Sequence, residues 1–281
     1  MTAAALLEDA AAALAAAGVS SPGWDAERLL RHVLGWDRAA LVARPDRLVP
    51  EPDAERFRAL VARRAAREPL QYILGTQAFW KHDFLVTPAV LIPRPETELL
   101  VETSLELLKG VERPVVVDVG TGSGCIALSI AAERPDAEVH ATDISEPALE
   151  VARENARRLG LEGRVRFHHG NLLEPLSGLE VHVHLVVSNP PYVDPAERDT
   201  LAPEVREHEP ETALFAADAK AYPARLATAA RKVLRPGGSL VLEIGIGLEA
   251  AVNEALVGGG LCPTGQRRDL AGVVRALVCR A

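Results

Sequence analysis

Residues 114–124 read PVVVDVGTGSG, and this stretch decides the fold. Val115 to Val119 form a β-branched run interrupted by one acid, as in a strand buried on both faces of a parallel sheet. Glycines at 120, 122 and 124 follow, and glycine lets a ligand come close to the backbone. SGCIALSIAAERP then reads as a helix. In open α/β sheets a ligand sits beyond the carboxyl end of such a strand, where this loop lies.

Strand and helix alternate onward from there. EVHATD is a strand and EPALEVARENARRLG a helix. RVRFHHG and HLVVSNPP are further strands. AYPARLATAARKVLRPGG is a helix closed by glycine, SLVLEIG a strand, and LEAAVNEALVGGG a helix. TGQRRDLAGVVRALVCR supplies a final antiparallel pair. The pattern predicts an α/β fold with a mostly parallel, Rossmann-like sheet and helices on both faces.

Upstream the sequence reads as all-helical. One helix covers Thr2 to Ala17 and stops at Gly18. SSPGWDAERLLRHVLG has a serine cap, proline in the first turn and Gly35 at its end. A third helix spans Asp53 to Arg67 and stops before Pro69. TQAFWKHDFLVTPAVLI, residues 76–92, is a hairpin linker. IPRPETELLVETSLELL opens a helix near Pro95, with acids in its first turn. The expected organisation is a helical domain over 1–75, a linker over 76–92 and an α/β domain over 93–281. Charge supports the division. Residues 1–80 hold ten arginines and ten acids, and the other 21 basic and 29 acidic residues carry the whole net charge of −8.

That charge disfavours a broad nucleic-acid footprint, which needs clustered Lys and Arg. The apolar start MTAAALLEDAAAALAAAG is interrupted by Glu8 and Asp9 and lacks a basic n-region, so it reads as an amphipathic helix and not a signal peptide. No stretch reaches the ~20 apolar residues that span a bilayer. Cys125, Cys262 and Cys279 show no C-x-x-C spacing and read as buried, reduced thiols of a cytoplasmic protein.

The glycine spacing discriminates between cofactors. A dinucleotide fingerprint, G-x-G-x-x-G, would need glycine where Cys125 stands. The G-x-G-x-G form, Gly120-Thr121-Gly122-Ser123-Gly124, is similar to the S-adenosylmethionine loop of Rossmann-like methyltransferases. Asp143 ends the next strand, 19 residues after Gly124, where an acid accepts hydrogen bonds from both ribose hydroxyls. Asn171 and Leu172, after the third strand, fall where such enzymes contact adenine. An acid is more usual at 171, but asparagine both donates and accepts.

Asn189-Pro190-Pro191-Tyr192 ends the fourth strand, because proline cannot donate to a ladder. The tetrapeptide occurs in methyltransferases that act on planar amino or amide nitrogens. The delocalised lone pair makes such a nitrogen a poor nucleophile. The Asn189 side-chain oxygen and the Pro190 carbonyl can hold its two N–H groups, and Tyr192 can pack on the flat acceptor and exclude water. No metal is required.

EPLQYILGTQAFW, LIPRPETELLVE, VDVGTGSGCIALSIA, VVSNPPYV and EVREHEPETALFA occur in this order, and together they resemble the HemK/PrmC family. Its members are protein-(glutamine-N5) methyltransferases of peptide chain release factors. The resemblance covers nearly the whole chain and is strongest over 68–216. It implies a helical N-terminal substrate-recognition domain, a hairpin linker and a methyltransferase domain. It implies S-adenosylmethionine as cofactor, S-adenosylhomocysteine as product, and the glutamine of the GGQ loop of release factors 1 and 2 as acceptor. By position Gly120 to Gly124, Asp143 and Asn189 bind cofactor, and Asn189 to Tyr192 bind the glutamine amide. Arg94, Pro95 and Glu98 line the approach, and Phe79 closes over it. The chain departs from the family at ADAKAYPARL, where a glycine-rich segment is usual.

The alternatives are an adenine-N6 methyltransferase acting on DNA or RNA, and a protein-binding module that keeps the fold without turnover. The first wants a basic groove and aromatic platforms for a flipped base, against a charge of −8 and 4% aromatic residues. The second is disfavoured by the intact Asp118, Asp143 and Asn189. His182 and His184 alternate on a strand but lack further ligands at metal spacing. His168 and His169 read as structural, and Arg63, Arg64 and Arg67 as a solvated helix face.

Overall fold

The computed structural model describes residues 1–178, 182–215 and 221–281. Part of the ADAKAYPARL departure therefore lies outside the described residues. The chain forms two compact units, Met1–Thr76 with Leu201–His208, and Gln77–Thr200 with Glu209–Ala281.

The first unit is helical. Helix α1 spans Ala3–Ala16, with the Thr2 hydroxyl accepting from the Ala5 N–H at its start. Helix α2 spans Pro22–Leu34; Ser21 stands at its cap position without a side-chain bond, and Gly35 ends it in the left-handed region at φ 65°. The third expected helix begins two residues early, as α4, Glu51–Ala65. Two short helices escape the sequence reading, α3 (Arg38–Ala43) and α5 (Leu70–Leu74). Both are too short for periodicity to register. Leu6, Leu14, Leu29, Leu30 and Phe57 meet in one core, each nearly inaccessible. Burying such a side chain fully contributes about 1.5–3 kcal/mol.

Helix α9 (Pro203–His208) joins this unit through charge. The Arg64 guanidinium donates to Asp25 at 2.7 Å and to Glu204 at 2.8 Å, and Arg67 donates to the other Glu204 oxygen at 2.7 Å. The expected solvated face fails for Arg64, whose side chain is 6% exposed. Burial pushes Glu204 up, but the bonds from Arg67 and Arg64 outweigh it and hold its carboxyl down to about 2.

The second unit opens with a two-stranded hairpin, β1 (Thr76–Phe79) and β2 (His82–Leu85), shorter than the 76–92 expected. A 3₁₀ turn, Pro95–Thr97, leads into α6 (Glu98–Leu107). Then come β3 (Val115–Val119), α7 (Cys125–Glu133), β4 (Glu138–Asp143), α8 (Glu146–Arg158), β5 (Val165–His169) and β6 (Val183–Ser188). Short α10 (Glu211–Leu214), α11 (Tyr222–Val233), β7 (Leu234–Glu243), α12 (Glu249–Gly258), β8 (Cys262–Arg268) and β9 (Val274–Arg280) complete it. The sheet order is β5-β4-β3-β6-β7-β9-β8. It is parallel from β5 to β7, with β9 and β8 antiparallel at one edge. This is a Rossmann-like methyltransferase sheet, and its order reverses between β3 and β6. Helix α11 is not closed by glycine. Leu234 turns extended, and Pro236 to Gly238 form an irregular entry to β7, where the register shifts.

Cys125 and Cys279 are buried, whereas Cys262 is exposed because β8 is the edge strand. His184 is structural, since its Nδ1 accepts from the Val115 N–H at 3.0 Å. Among the described residues no group of three or more His, Cys, Asp or Glu could hold a metal, and no helix is long and apolar enough to cross a membrane.

His140 and His168 stack on neighbouring strands, with Nδ1 and Nε2 3.0 Å apart and therefore one proton between them. Burial holds both imidazoles below their ordinary value. The unfolded chain thus binds protons that the folded chain refuses, and stability falls as pH drops below the usual imidazole value of about 6.5. Thermal melts taken from neutral to mildly acidic pH are expected to show a falling Tm, and His168→Gln to flatten that fall. An unchanged slope in the variant would place the titration elsewhere.

Candidate active site

Val119 pairs with Ser188 across β3 and β6. The next residue on each strand is Gly120 on one side and Asn189 on the other, so the register alone brings the glycine loop beside the proline-rich tetrapeptide. A Cβ on Gly120 would stand 4.0 Å from the Asn189 carbonyl oxygen. Between them opens a cavity of about 440 Å³, within the range of roughly 300–1,000 Å³ usual for small-molecule sites.

The loop is left-handed at Gly120, Gly122 and Gly124, with φ of 73°, 54° and 81°. Their reasons differ. A Cβ on Gly122 would meet nothing within 4 Å, so that glycine leaves cavity space that a side chain would fill. A Cβ on Gly124 would lie 3.0 Å from Leu128 and 3.2 Å from Ala152. Gly124 therefore serves helix packing and does not line the cavity, whereas Gly120, Thr121, Gly122 and Ser123 do. Beneath the loop, buried Asp118 accepts from the Thr121 hydroxyl and the Ala127 N–H, and burial pushes its carboxyl up to about 7.

Asp143 reaches the same wall from β4. One oxygen accepts from the Gly122 N–H and the other from the Ser145 N–H, each at 2.9 Å. Burial raises its pKa against those bonds. Each oxygen retains acceptor capacity for a further donor. Asn171 and Leu172 line the cavity beyond it. Leu172 holds a positive φ of 50°, and the Asn171 amide donates to Glu174 at 3.2 Å.

At the opposite wall Asn189 and Pro191 line the cavity, whereas Pro190 and Tyr192, expected there, do not. The Asn189 amide nitrogen donates to the Thr97 hydroxyl at 3.1 Å. Tyr192 packs beside Gly245, whose added Cβ would come within 3.2 Å of the ring. Burial, then the charge of Glu243, pushes the Tyr192 phenol up to about 12, so it stays neutral.

Of the three residues expected on the approach, only Arg94 lines the cavity. Glu98 instead accepts from the Trp80 N–H at 2.7 Å, fixing the hairpin turn. Phe79 does not close over the site. Its ring is 1% exposed and packs edge-on against Phe84 in the core, 6.0 Å between centroids. Glu209, absent from the sequence reading, accepts from Arg94 at 2.5 Å and from the Ile92 N–H at 3.3 Å, and so holds the arginine at the rim. Phe215 and Tyr222 also line the cavity unforeseen. Burial pushes the Tyr222 phenol up to about 12. Nothing local marks these residues, since α10 is four residues long and the partners are distant in sequence.

Residues 5–75 match the PrmC N-terminal domain family, and residues 95–208 the methyltransferase small domain family. The chain is 48% identical over 242 residues to a release factor glutamine methyltransferase of Deinococcus radiodurans, covering 85% of this chain and 84% of that protein. It is 43% identical over 283 residues to one of Cereibacter sphaeroides, covering 100% and 99%. The crystal structure of a methyltransferase from Pyrococcus furiosus shares the fold, with a TM-score of 0.50 at 19% identity, covering 72% of this chain and 90% of that one.

Proposed function

We infer that this chain, which belongs to the family of release factor glutamine methyltransferases, binds S-adenosylmethionine between its glycine loop and Asn189 and receives there the glutamine of a release factor. It is an S-adenosylmethionine-dependent methyltransferase of that glutamine's side-chain nitrogen. The observation that supports it is the β3–β6 register, which brings the loop Gly120 to Ser123 and the side chain of Asn189 onto one cavity.

The residues present fit the cofactor. Gly122 leaves open space at the wall, and Asp143 keeps acceptor capacity on both oxygens. When bound, S-adenosylmethionine supplies an electrophilic methyl on a sulfonium sulfur. Gly120 to Ser123 carry the cofactor on their backbone, with Gly124 shaping the turn. Asp143 accepts from the ribose hydroxyls, and Asn171 and Leu172 flank the adenine. The Asn189 oxygen and the Pro190 carbonyl accept the two N–H groups of the glutamine amide, orienting its nitrogen. Pro191 and Tyr192 fix that geometry and exclude water. The partners are release factors 1 and 2, entered through the GGQ loop, with the helical residues 1–75 recognising the rest of the factor.

Mass spectrometry of a digested release factor, incubated with the protein and S-adenosylmethionine, tests this reading. One added methyl group on the GGQ glutamine is expected. No gain there, with methylated adenine when DNA or RNA is supplied instead, would replace the glutamine by a base.

A further inference from the structure

The exposed apolar side chains of the second unit are not scattered. Among its described residues five large ones are exposed, Ile144, Ile246, Leu248, Val257 and Leu270. Four of the five stand at the carboxyl end of the parallel strands, the end that holds the cavity. Ile144 follows β4, and Ile246 and Leu248 follow β7. Leu270 sits in the turn between β8 and β9. That turn lies at the same end, because β9 runs antiparallel to β7: Glu243 pairs with Ala276, and the Ile244 N–H donates to the Arg275 carbonyl. Val257, near the end of α12, is the exception. Ile144 lines the cavity itself, and Ile246, Leu248 and Leu270 do not.

The loop after β7 and the β8–β9 turn hold these side chains outward. Gly247 is left-handed at φ 78° and turns the chain directly after Ile246, which is 68% exposed. A Cβ on Gly245 would lie 3.0 Å from Leu248 and 3.2 Å from the Tyr192 ring. Glycine there lets both side chains close on one stretch of backbone, which makes the loop continuous with the Asn189–Tyr192 tetrapeptide. In the turn, Asp269 accepts from the Ala271 and Val273 N–H groups at 2.9 Å and from the Arg275 Nε at 2.8 Å. The Arg268 guanidinium donates to the Gly272 carbonyl at 2.7 Å. Leu270 is thus held fully exposed on a fastened tip, and covering it orders little that is not already ordered. A single exposed apolar residue is ordinary, whereas a group of them beside a site and flanked by polar residues marks an interaction surface.

The acceptor in this family is a glutamine within a protein, so the polypeptide next to it must cross the surface around the cavity. We propose that Ile246, Leu248 and Leu270 form an apolar docking surface on which the release factor seats the apolar polypeptide beside its acceptor glutamine. The proposal rests on the glutamine reading of the same cavity.

Steady-state kinetics with an intact release factor test the surface. Leu270→Ser and Ile246→Ser are each expected to raise the KM for the release factor by about tenfold, the loss of one buried apolar side chain. The kcat and the KM for S-adenosylmethionine should change by less than about twofold, since binding and not chemistry is touched. Leu270→Met, of similar volume, should keep the wild-type KM. Val257→Ser alters an exposed apolar side chain away from this end of the sheet and should leave the KM unchanged. Should Ile246→Ser fail to fold by circular dichroism, the Leu270 variants decide, because that side chain is wholly exposed. An unchanged KM for the release factor in Leu270→Ser, or an equal rise in Val257→Ser, would overturn the docking surface. So would sedimentation showing a wild-type dimer that Leu270→Ser separates at unchanged KM, because the occupant would then be a second copy of the chain. If the wild type methylates the glutamine while the KM ignores these residues, the docking surface alone falls. If the wild type leaves the glutamine unmethylated, the glutamine reading falls and takes the docking surface with it.

Discussion

Asn189→Ala is expected to lower kcat for release-factor methylation by about 10²–10³-fold, the loss typical of deleting one pre-aimed hydrogen-bonding group from an active site. An amide nitrogen shares its lone pair with the carbonyl and is weakly nucleophilic. Orientation of bound reactants supplies up to roughly 7–11 kcal/mol in total, and one acceptor accounts for part of it. As the nitrogen commits its lone pair, its N–H groups become more acidic. The bond to the Asn189 oxygen therefore strengthens in the transition state, so its removal falls on kcat more than on substrate binding. On the proposed arrangement the alanine variant keeps the Pro190 carbonyl as its acceptor, and Thr97 loses the donor now 3.1 Å away. Calorimetry should show S-adenosylmethionine bound within about tenfold of wild type, because the glycine loop and Asp143 stand on other strands. A kcat loss below about tenfold would show that the amide is held by other groups.

How much of this site was legible follows from sequence distance. The glycine loop, Asp143 and the tetrapeptide each declare themselves within a few residues, as a strand end followed by a turn. Their convergence was legible too, since it needs only the parallel sheet and its switch point. The Asn189 partner was not, because Thr97 is 92 residues away and belongs to a 3₁₀ turn. Glu209 reaches Arg94 across 115 residues. Phe79 misled for a different reason. An aromatic in a short amphipathic hairpin offers no local clue as to whether it faces a cavity or a core, and here Phe84 draws it inward. Likewise Gly124 reads like the two glycines before it, and the proximity of Leu128 and Ala152 separates packing from ligand approach. The first two helices were legible from their starts and from the glycine stops at Gly18 and Gly35, whereas the end of α11 and the short helices were not.

Arg64 carries the largest expected effect on stability. In sequence it belongs to a basic run on a helix, and such runs are ordinarily solvated. Its partners lie 39 residues before it, at Asp25, and 140 after it, at Glu204. The guanidinium spends Nε on Asp25, Nη2 on Glu204 and Nη1 on the Glu68 carbonyl. Side chains of Arg64 and Asp25 are 6% and 8% exposed, so water does not screen the pair. Arg64→Ala leaves the Asp25 carboxylate buried and unpaired, which typically costs about 3–5 kcal/mol. Urea titration of the full chain followed by circular dichroism should show an earlier helical transition in this variant. Arg67→Ala should cost less, because its side chain is 24% exposed and Glu204 keeps Arg64. A doubly substituted Asp25→Leu, Arg64→Leu chain separates the cost of an orphaned charge from the worth of the pair. Replacing both partners of a buried pair by apolar groups is often nearly neutral, so the double variant should recover much of what Arg64→Ala loses. If Arg64→Ala costs under about 1 kcal/mol, the scale of an exposed pair, the charges are solvated after all and the arginine run is the surface face its sequence describes.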